Sequence, residues 1–307
     1  MLNVYAIDTF HFALPEGHRF PLAKYRMLRE SLIQTGIIPA EAIKIPPGAT
    51  EQELVRAHDP AYVRRFFQGK LTEKEMRRIG LPWSEAYAER VRRSAGGTLA
   101  ACRAALIHGL SVHLSGGTHH AGYDHGEGFC VFNDAVVAAR ALQQETNVRR
   151  VCIIDCDVHQ GNGTASITKD DPTIFTFSIH GQKNFPFRKS PSDIDIGLPD
   201  GTGDGVYLEM LEEGVMRTLA LSNPDFVIYL AGADAHEGDK LGRLSVTKTG
   251  LEQRDRFVLE TILEQRVPAA VIMGGGYGRD LNDTVAVQAI TVRICAELFP
   301  RFNALTR

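Results

Sequence analysis

A short apolar run that ends in alternating carboxylates and a histidine constrains this 307-residue chain more than any other stretch. Residues 151–154 are apolar and rich in β-branched side chains, which predicts a strand buried on both faces of a sheet. Asp155, Asp157 and His159 follow at alternate positions. Side chains two residues apart on an extended segment point to the same side. Asp157 and His159 can therefore approach one ion with an oxygen and a nitrogen donor, a combination that suits zinc.

Three other predicted strands also end in glycine-rich or polar clusters. Segments with helical spacing separate the strands along the whole chain, and this alternation predicts one parallel sheet with helices on both faces. The carboxyl ends of parallel strands lie at one edge of the sheet, where ligands bind in such folds. We therefore expect a single α/β domain over residues 1–307 with one site at that edge. The three clusters are Gly116-Gly117-Thr118-His119-His120, Gly232-Ala233-Asp234 and Gly274-Gly275-Gly276-Tyr277.

The composition argues against several classes of partner. The net charge of −3 gives no general reason to expect direct binding of nucleic acid or of an anionic membrane. Residues 1–8 lack the pattern of a signal peptide, and no apolar run is long enough for a bilayer. The five cysteines are odd in number, which favours reduced thiols and a cytoplasmic protein.

Local patterns give three further expectations. Ser84 is a predicted N-cap for a long helix that reaches about Gly109, and the pair Gly96-Gly97 inside that helix indicates close packing. Residues 181–203 contain prolines and little periodicity, which predicts a long surface loop. Thr249 with Glu252 forms a predicted capping box.

The third metal ligand should come from another strand end. The residues leave two candidates, Asp234 and Asp239. A catalytic zinc site has three protein ligands and an open position, and the ion lowers the pKa of bound water to about 7.

His119-His120 and Tyr277 are the remaining candidates for chemistry. On a glycine-rich turn both histidines can face a cleft, one as general base and the other as its partner; otherwise they are a surface pair. Tyr277 can donate a hydrogen bond to an oxyanion, although such a residue is more often a packed loop aromatic. The stretch 126–130 puts an aromatic ring beside glycines, as a narrow channel wall requires.

Together these motifs resemble the zinc-dependent histone deacetylase family on the arginase/deacetylase fold, which includes bacterial acetylpolyamine amidohydrolases and acetoin-utilisation proteins. The resemblance covers nearly the whole chain, with the motifs in the family's order. Residues 19–25 and 237–244 look most like the class IV branch. The motifs are Gly-Gly-Thr-His-His, Gly-Phe-Cys, Asp-x-Asp-x-His-Gln-Gly-Asn-Gly, Gly-Ala-Asp-x-x-x-Gly-Asp and Gly-Gly-Gly-Tyr.

The resemblance implies roles for individual residues. It implies that Asp234 is only a neighbour of the metal and that zinc is held by Asp157, His159 and Asp239. A structural potassium ion would be held partly by Asp155 and Ser178. His120 would be the general base, with His119 beside it and Asp155 orienting it, and Tyr277 would polarise the scissile carbonyl. The tunnel for the acylated lysine would be lined by Gly128, Phe129, Phe185 and Gly275.

Two positions depart from the class I pattern. Asn162 stands where class I enzymes have an aspartate behind the second histidine, and an amide orients an imidazole without stabilising its charged form. Residues 78–84 offer no counterpart of the acidic residue that clamps the substrate backbone in class I.

The sequence thus predicts a zinc amidohydrolase acting on an acyl-lysine protein or peptide, or on a small acylated amine. A non-catalytic acyl-lysine binder or acetoin-utilisation-type regulatory protein is the alternative from another class. An acetylpolyamine amidohydrolase is a narrower enzymatic alternative. A binuclear manganese ureohydrolase on the same fold would need a further carboxylate where this chain has Gln160 and Gly161.

Overall fold

Eight parallel strands form one sheet in the computed structural model, which describes residues 1–306. The strand order is β2-β1-β3-β8-β7-β4-β5-β6. The strands are β1 (Asn3–Tyr5), β2 (Ile43–Lys44), β3 (Leu110–His113), β4 (Val151–Asp155), β5 (Ile174–Gly181), β6 (Ile194–Leu198), β7 (Phe226–Leu230) and β8 (Ala269–Ile272).

Helices cover both faces of the sheet. The helices are α1 (Lys24–Gln34), α2 (Glu51–Leu54), α3 (Pro60–Phe67), α4 (Glu73–Ile79), α5 (Glu85–His108), α6 (Asp134–Glu145), α7 (Asn162–Thr168), α8 (Asp204–Ser222), α9 (Lys248–Glu264) and α10 (Leu281–Ala304), with a 3-10 turn at Ala40–Ala42. Within β4, Ile154 belongs to the core under α1 and α8–α10, and Ile153 to the core under α3, α5 and α6. This alternation explains why the strand is apolar at every position, and it confirms the predicted fold class.

The four strands that end in unusual residues are neighbours in the centre of the sheet. Their last residues are in register, with His113 opposite Ile272, Ile272 opposite Leu230, and Leu230 opposite Asp155. Because all four strands are parallel, the residues that follow them meet at one edge. The sheet therefore brings together the segments that carry the predicted chemistry.

The predicted features of α5 are confirmed. The Ser84 side chain accepts a hydrogen bond from the Tyr87 amide at 3.0 Å, so this serine is the N-cap. A methyl group on Gly96 would overlap the Pro47 carbonyl, and one on Gly97 would overlap the His113 ring. The glycine pair lets the helix lie directly against a loop and a strand.

Two local predictions are wrong. The stretch 181–203 contains β6, an edge strand with alternating half-buried and exposed residues that is bounded by prolines. The cap of α9 is Thr247, not Thr249: its hydroxyl accepts from the Gly250 amide at 3.0 Å, while Asp204 accepts from the Thr247 amide at 2.7 Å. Both outcomes depend on partners distant in sequence.

In residues 1–306, we find no helix that combines the length and the apolar character needed for a bilayer crossing.

Candidate metal-binding and catalytic site

Three buried side chains at the ends of β4 and β7 could hold one metal ion. Asp157, His159 and Asp234 each offer a ligand atom, and these atoms all lie within 4.8 Å of one another. His159 Nδ1 lies 3.0 Å from Asp157 Oδ1 and 3.2 Å from Asp234 Oδ2. The set contains two carboxylates and one imidazole, which are zinc ligands.

The structure corrects the third member of this set from Asp239 to Asp234. Asp239 is turned to the backbone: its Oδ1 accepts from the amides of Leu241 at 2.7 Å and Gly242 at 2.9 Å, and its Oδ2 accepts from the Tyr277 amide at 2.6 Å. Asp234 is closer than Asp239 to the end of β7, and its carboxylate faces His159 Nδ1. The prediction that Asp239 is a ligand and Asp234 only a neighbour is therefore wrong in this geometry.

The charges of the three side chains are strongly perturbed. Burial and the adjacent Asp157 raise the pKa of Asp234 to about 7. Burial lowers the pKa of His159, but hydrogen bonds with Asp157 and Asp234 outweigh this and raise it to about 10. Without an ion, the proton on His159 Nδ1 thus lies between Asp157 Oδ1 and Asp234 Oδ2. Two carboxylates this close and this buried repel each other, and a divalent cation in that space would relieve the repulsion. The donor set fits zinc.

Backbone amides hold the carboxylates in place. Asp157 Oδ2 accepts from the Gly275 amide at 2.6 Å, and Asp234 Oδ1 accepts from the Val158 amide at 2.9 Å. A methyl group on Gly275 would overlap the Asp234 carboxylate, so only glycine fits at this predicted tunnel position. Such outer contacts orient metal ligands before an ion binds.

The two adjacent histidines are held by different partners. His119 Nδ1 lies 2.6 Å from Asp155 Oδ2, and His120 Nδ1 lies 2.7 Å from Asn162 Oδ1. The Asn162 side-chain amide donates to Glu127 Oε2 at 3.1 Å, which fixes its oxygen toward His120. We therefore assign the proton of neutral His120 to Nδ1, which leaves Nε2 free to accept a proton.

The electrostatic surroundings separate the two rings. Burial lowers the pKa of His119, but the charges of Asp155 and Asp157 raise it to about 9. Burial and repulsion from His119 and His159 hold the pKa of His120 well below its ordinary value. In the ion-free chain His120 is thus the neutral ring, as a proton acceptor must be at neutral pH.

The turn that carries the histidines depends on Asp134, which the sequence did not identify. Its carboxylate accepts from the amides of Gly117 at 3.0 Å and Thr118 at 2.7 Å. It also accepts from the hydroxyls of Thr98 and Thr118. Asp134 follows the N-cap Asn133 of α6, a position that by itself indicates only a helix start.

Aromatic rings form a cavity of about 80 Å³ over the site. The rings of Phe129 and Tyr277 lie 6.0 Å apart between centroids, and Phe185 lies 4.8 Å from His120. Gly128 packs between His120 and Phe185. Of the four residues expected in the tunnel wall, Gly128 and Phe129 line both of two adjoining cavities, Gly275 lines only the inner one and Phe185 only the outer one. The inner wall also carries cationic and phenolic side chains to which the sequence patterns gave no role in the site: Lys24, Tyr87 and Arg90.

The potassium site stays a prediction. Asp155 and Ser178 are register partners on β4 and β5, so their backbones are adjacent. In this structure Asp155 contacts His119, and Ser178 Oγ lies 3.1 Å from His180 Nδ1.

Comparisons with known proteins give a consistent result. Residues 18–293 match the family model described as a histone deacetylase domain. An uncharacterised protein of Picosynechococcus sp. is 44% identical over 93% of this chain and 95% of its own length. Acetoin utilization protein AcuC of Staphylococcus aureus is 31% identical over 91% of this chain and 77% of its length. The crystal structure of the HDA15 HD domain matches with a TM-score of 0.80 over 96% of this chain and 88% of that one; at 24% identity it supports the fold alone.

Proposed function

This chain belongs to the histone deacetylase domain family, and we propose that it is a zinc-dependent hydrolase that removes an acyl group from lysine or a lysine-like amine. The observation that carries the proposal is the buried group of Asp157, His159 and Asp234 beside a neutral His120 with a free Nε2. Ligands and proton acceptor lie in one cavity.

Zinc would be held by Asp157, His159 and Asp234. When bound, zinc polarises a carbonyl oxygen and lowers the pKa of water to about 7. The amides of Gly275 and Val158 already hold the two carboxylates, so the protein's part is to present the ligands without rearrangement.

His120 would take the proton from the attacking water. Its neutral state at pH 7 follows from burial and from the positive charge on its neighbours. Asn162 fixes the ring, and Glu127 fixes Asn162. His119, whose Nδ1 lies 2.6 Å from Asp155 Oδ2, would be held beside His120 and, when protonated, would supply positive charge near the developing oxyanion.

Tyr277 would donate a hydrogen bond to the carbonyl oxygen of the scissile amide. Within residues 1–306 its hydroxyl makes no hydrogen bond, and its ring lines the cavity beside His159. A donor that meets charge developing only in the transition state lowers the barrier more than it tightens substrate binding.

The substrate would be an acylated lysine, because the aromatic walls of Phe129 and Phe185 suit an aliphatic chain. A cytoplasmic location, a structural potassium ion and the class IV branch complete the proposal. A non-catalytic acyl-lysine binder, as a regulatory protein would be, is the rival, and the presence of the complete set of ligands, histidines and tyrosine favours the enzyme.

The test combines metal analysis with an assay of acyl-lysine hydrolysis, using acetyl and longer acyl groups on a peptide, a polyamine and free lysine. We expect one zinc per chain. His120→Ala should lower kcat by about 10² to 10⁴-fold, the contribution of a general base, and Asn162→Ala by less. Tyr277→Phe should lower kcat by about 10² to 10³-fold with little change in KM. His11→Ala, an exposed histidine, is the control. A zinc-loaded chain that binds these compounds but hydrolyses none would favour the binder.

A further inference from the structure

The outer opening of the cavity is surrounded by positive charge. Five basic side chains line it and are called the cationic rim below: Arg19, Arg77, Arg78, Lys183 and Arg243. All five residues are exposed, whereas Glu127 is the one acidic residue on the same wall. The whole chain has a net charge of −3, so this local excess runs against the general balance.

Three of the five rim residues form ion pairs within residues 1–306, among them Arg243 with Asp200 at 3.2 Å, yet all three arginines stay exposed to solvent. Glu127 is already shared, since Arg78 Nε lies 3.1 Å from it and Asn162 donates to it. Arg77 contacts Glu73 at 3.3 Å with both side chains mostly in solvent, a type of pair that contributes little. Within residues 1–306, Arg19 and Lys183 make no ion pair; Arg19 lies over the Phe129 ring at 5.3 Å.

The rim also has an apolar contact surface. Phe187 is 88% exposed and lies on the same wall as Phe185, whose ring contacts it at 6.4 Å between centroids. An exposed aromatic ring beside basic groups can pack against a peptide backbone or side chain while the charges select the sequence around it.

We propose that the acyl-lysine carried into this site belongs to an acidic peptide segment, with Asp or Glu residues flanking the modified lysine. This inference rests on the proposed function and names its substrate class. Opposite charge across an interface speeds association, and like charge suppresses wrong partners. The rim would therefore favour acidic flanks and disfavour lysine-rich or arginine-rich segments and acylated polyamines, which are themselves cations.

The experiment compares three peptides that carry the same acyl-lysine between acidic, neutral and basic flanks, assayed with the zinc-loaded full chain. Hydrolysis of the neutral peptide reports on the proposed function, and the ratio between peptides reports on this inference. We expect kcat/KM for the acidic peptide to exceed that for the basic one by about tenfold or more at low salt, mainly through KM. The ratio should shrink at 0.5 M salt, where the screening length falls to about 4 Å.

The matched variant is Arg77→Glu/Lys183→Glu, and the control is Arg217→Glu, an exposed charge on α8 outside both cavities. The double variant should reduce or invert the acidic-to-basic ratio, whereas the control should keep it. Equal kcat/KM for the three peptides, or a ratio that the double variant leaves unchanged, would overturn the inference.

Inhibition by a DNA oligonucleotide at concentrations below those of the acidic peptide would also overturn it, in favour of a nucleic-acid partner. If no peptide is hydrolysed, the proposed function fails, and fluorescence anisotropy with the same peptides still tests the rim: tighter binding of the acidic peptide supports it, and no difference overturns it.

Discussion

Replacing Asp234 and Asp239 separately by Asn should separate metal binding from loop stability. Both carboxylates are buried and lie five positions apart in one connection. Asp234 faces His159 and Asp157, whereas Asp239 accepts three backbone amides at 2.6 to 2.9 Å. The two substitutions are identical in chemistry, so each is the control for the other.

Asp234→Asn should lose the metal and keep its fold. The remaining oxygen can still accept from the Val158 amide, and the change removes a buried charge whose pKa is raised to about 7 by burial and by Asp157. The free energy of unfolding of the ion-free chain should therefore change by less than about 1 kcal/mol, the worth of one net hydrogen bond. Metal affinity should fall by more than about 100-fold, because loss of an outer contact alone costs about 10 to 100-fold.

Asp239→Asn should show the opposite result. An amide can replace one carboxylate oxygen as acceptor, but its NH₂ group then faces an N–H donor, either Tyr277 or the pair Leu241 and Gly242. Losing a hydrogen bond to a charged group costs about 1.5 to 3 kcal/mol. The unfolding free energy should fall by that amount, kcat should fall because Tyr277 is less well held, and one metal ion per chain should remain.

The assays are urea unfolding in the presence of a chelator and metal stoichiometry after dialysis against a metal buffer. If Asp239→Asn released the metal while Asp234→Asn kept one ion per chain, Asp239 would be the ligand and the geometric argument would be refuted.

Two further predictions concern buried groups away from the metal. His58 is buried, lies 3.0 Å from the Gly122 carbonyl and accepts from the Asn133 amide, and burial lowers its pKa to about 4 from 6.5. The unfolded chain binds this proton at a higher pH than the folded chain. The free energy of unfolding is therefore unaffected by His58 above pH 6.5 and falls by about 1.4 kcal/mol per pH unit between 6.5 and 4. His58→Gln should flatten that slope in urea unfolding, and an unchanged slope would contradict the assignment. Asp255 accepts from Tyr229 and Thr291 at 2.5 Å and from Arg254 at 2.7 Å in the core, so Asp255→Ala should lower the unfolding free energy by about 3 to 5 kcal/mol by leaving a buried arginine unpaired. A loss below about 1 kcal/mol would mean that water reaches Arg254.

The sequence predicted those parts of the site that a single strand end determines. The spacing of Asp157 and His159 was sufficient because side chains two apart on an extended segment share a side. The glycine-rich ends of the other central strands placed the histidine pair and Tyr277 at the same edge. All of these depend on local periodicity and on the rule for parallel sheets.

The choice between Asp234 and Asp239 could not be made in the same way. It depends on the path of one connection, which is set by the amides of Val158 and Tyr277, far away in the sequence. The strand β6 was missed for a related reason: as an edge strand it pairs on one side only, and its five residues are bounded by prolines. Glu127 and Asp134 act through folded contacts that no spacing reveals.

The cationic rim and the reactive groups occupy different parts of the architecture. Asp157, His159 and Asp234 lie within four residues of the ends of central strands. The rim residues lie in α4 and in loops, with Arg243 further along the connection that carries Asp234. Substitutions in the rim leave the register of the sheet unchanged. A descendant of this chain can therefore come to accept a different acylated peptide while its reactive groups stay in place. Divergence in this lineage should therefore be uneven: duplicated copies would drift apart first around the opening, while the strand ends stay fixed by the chemistry they share.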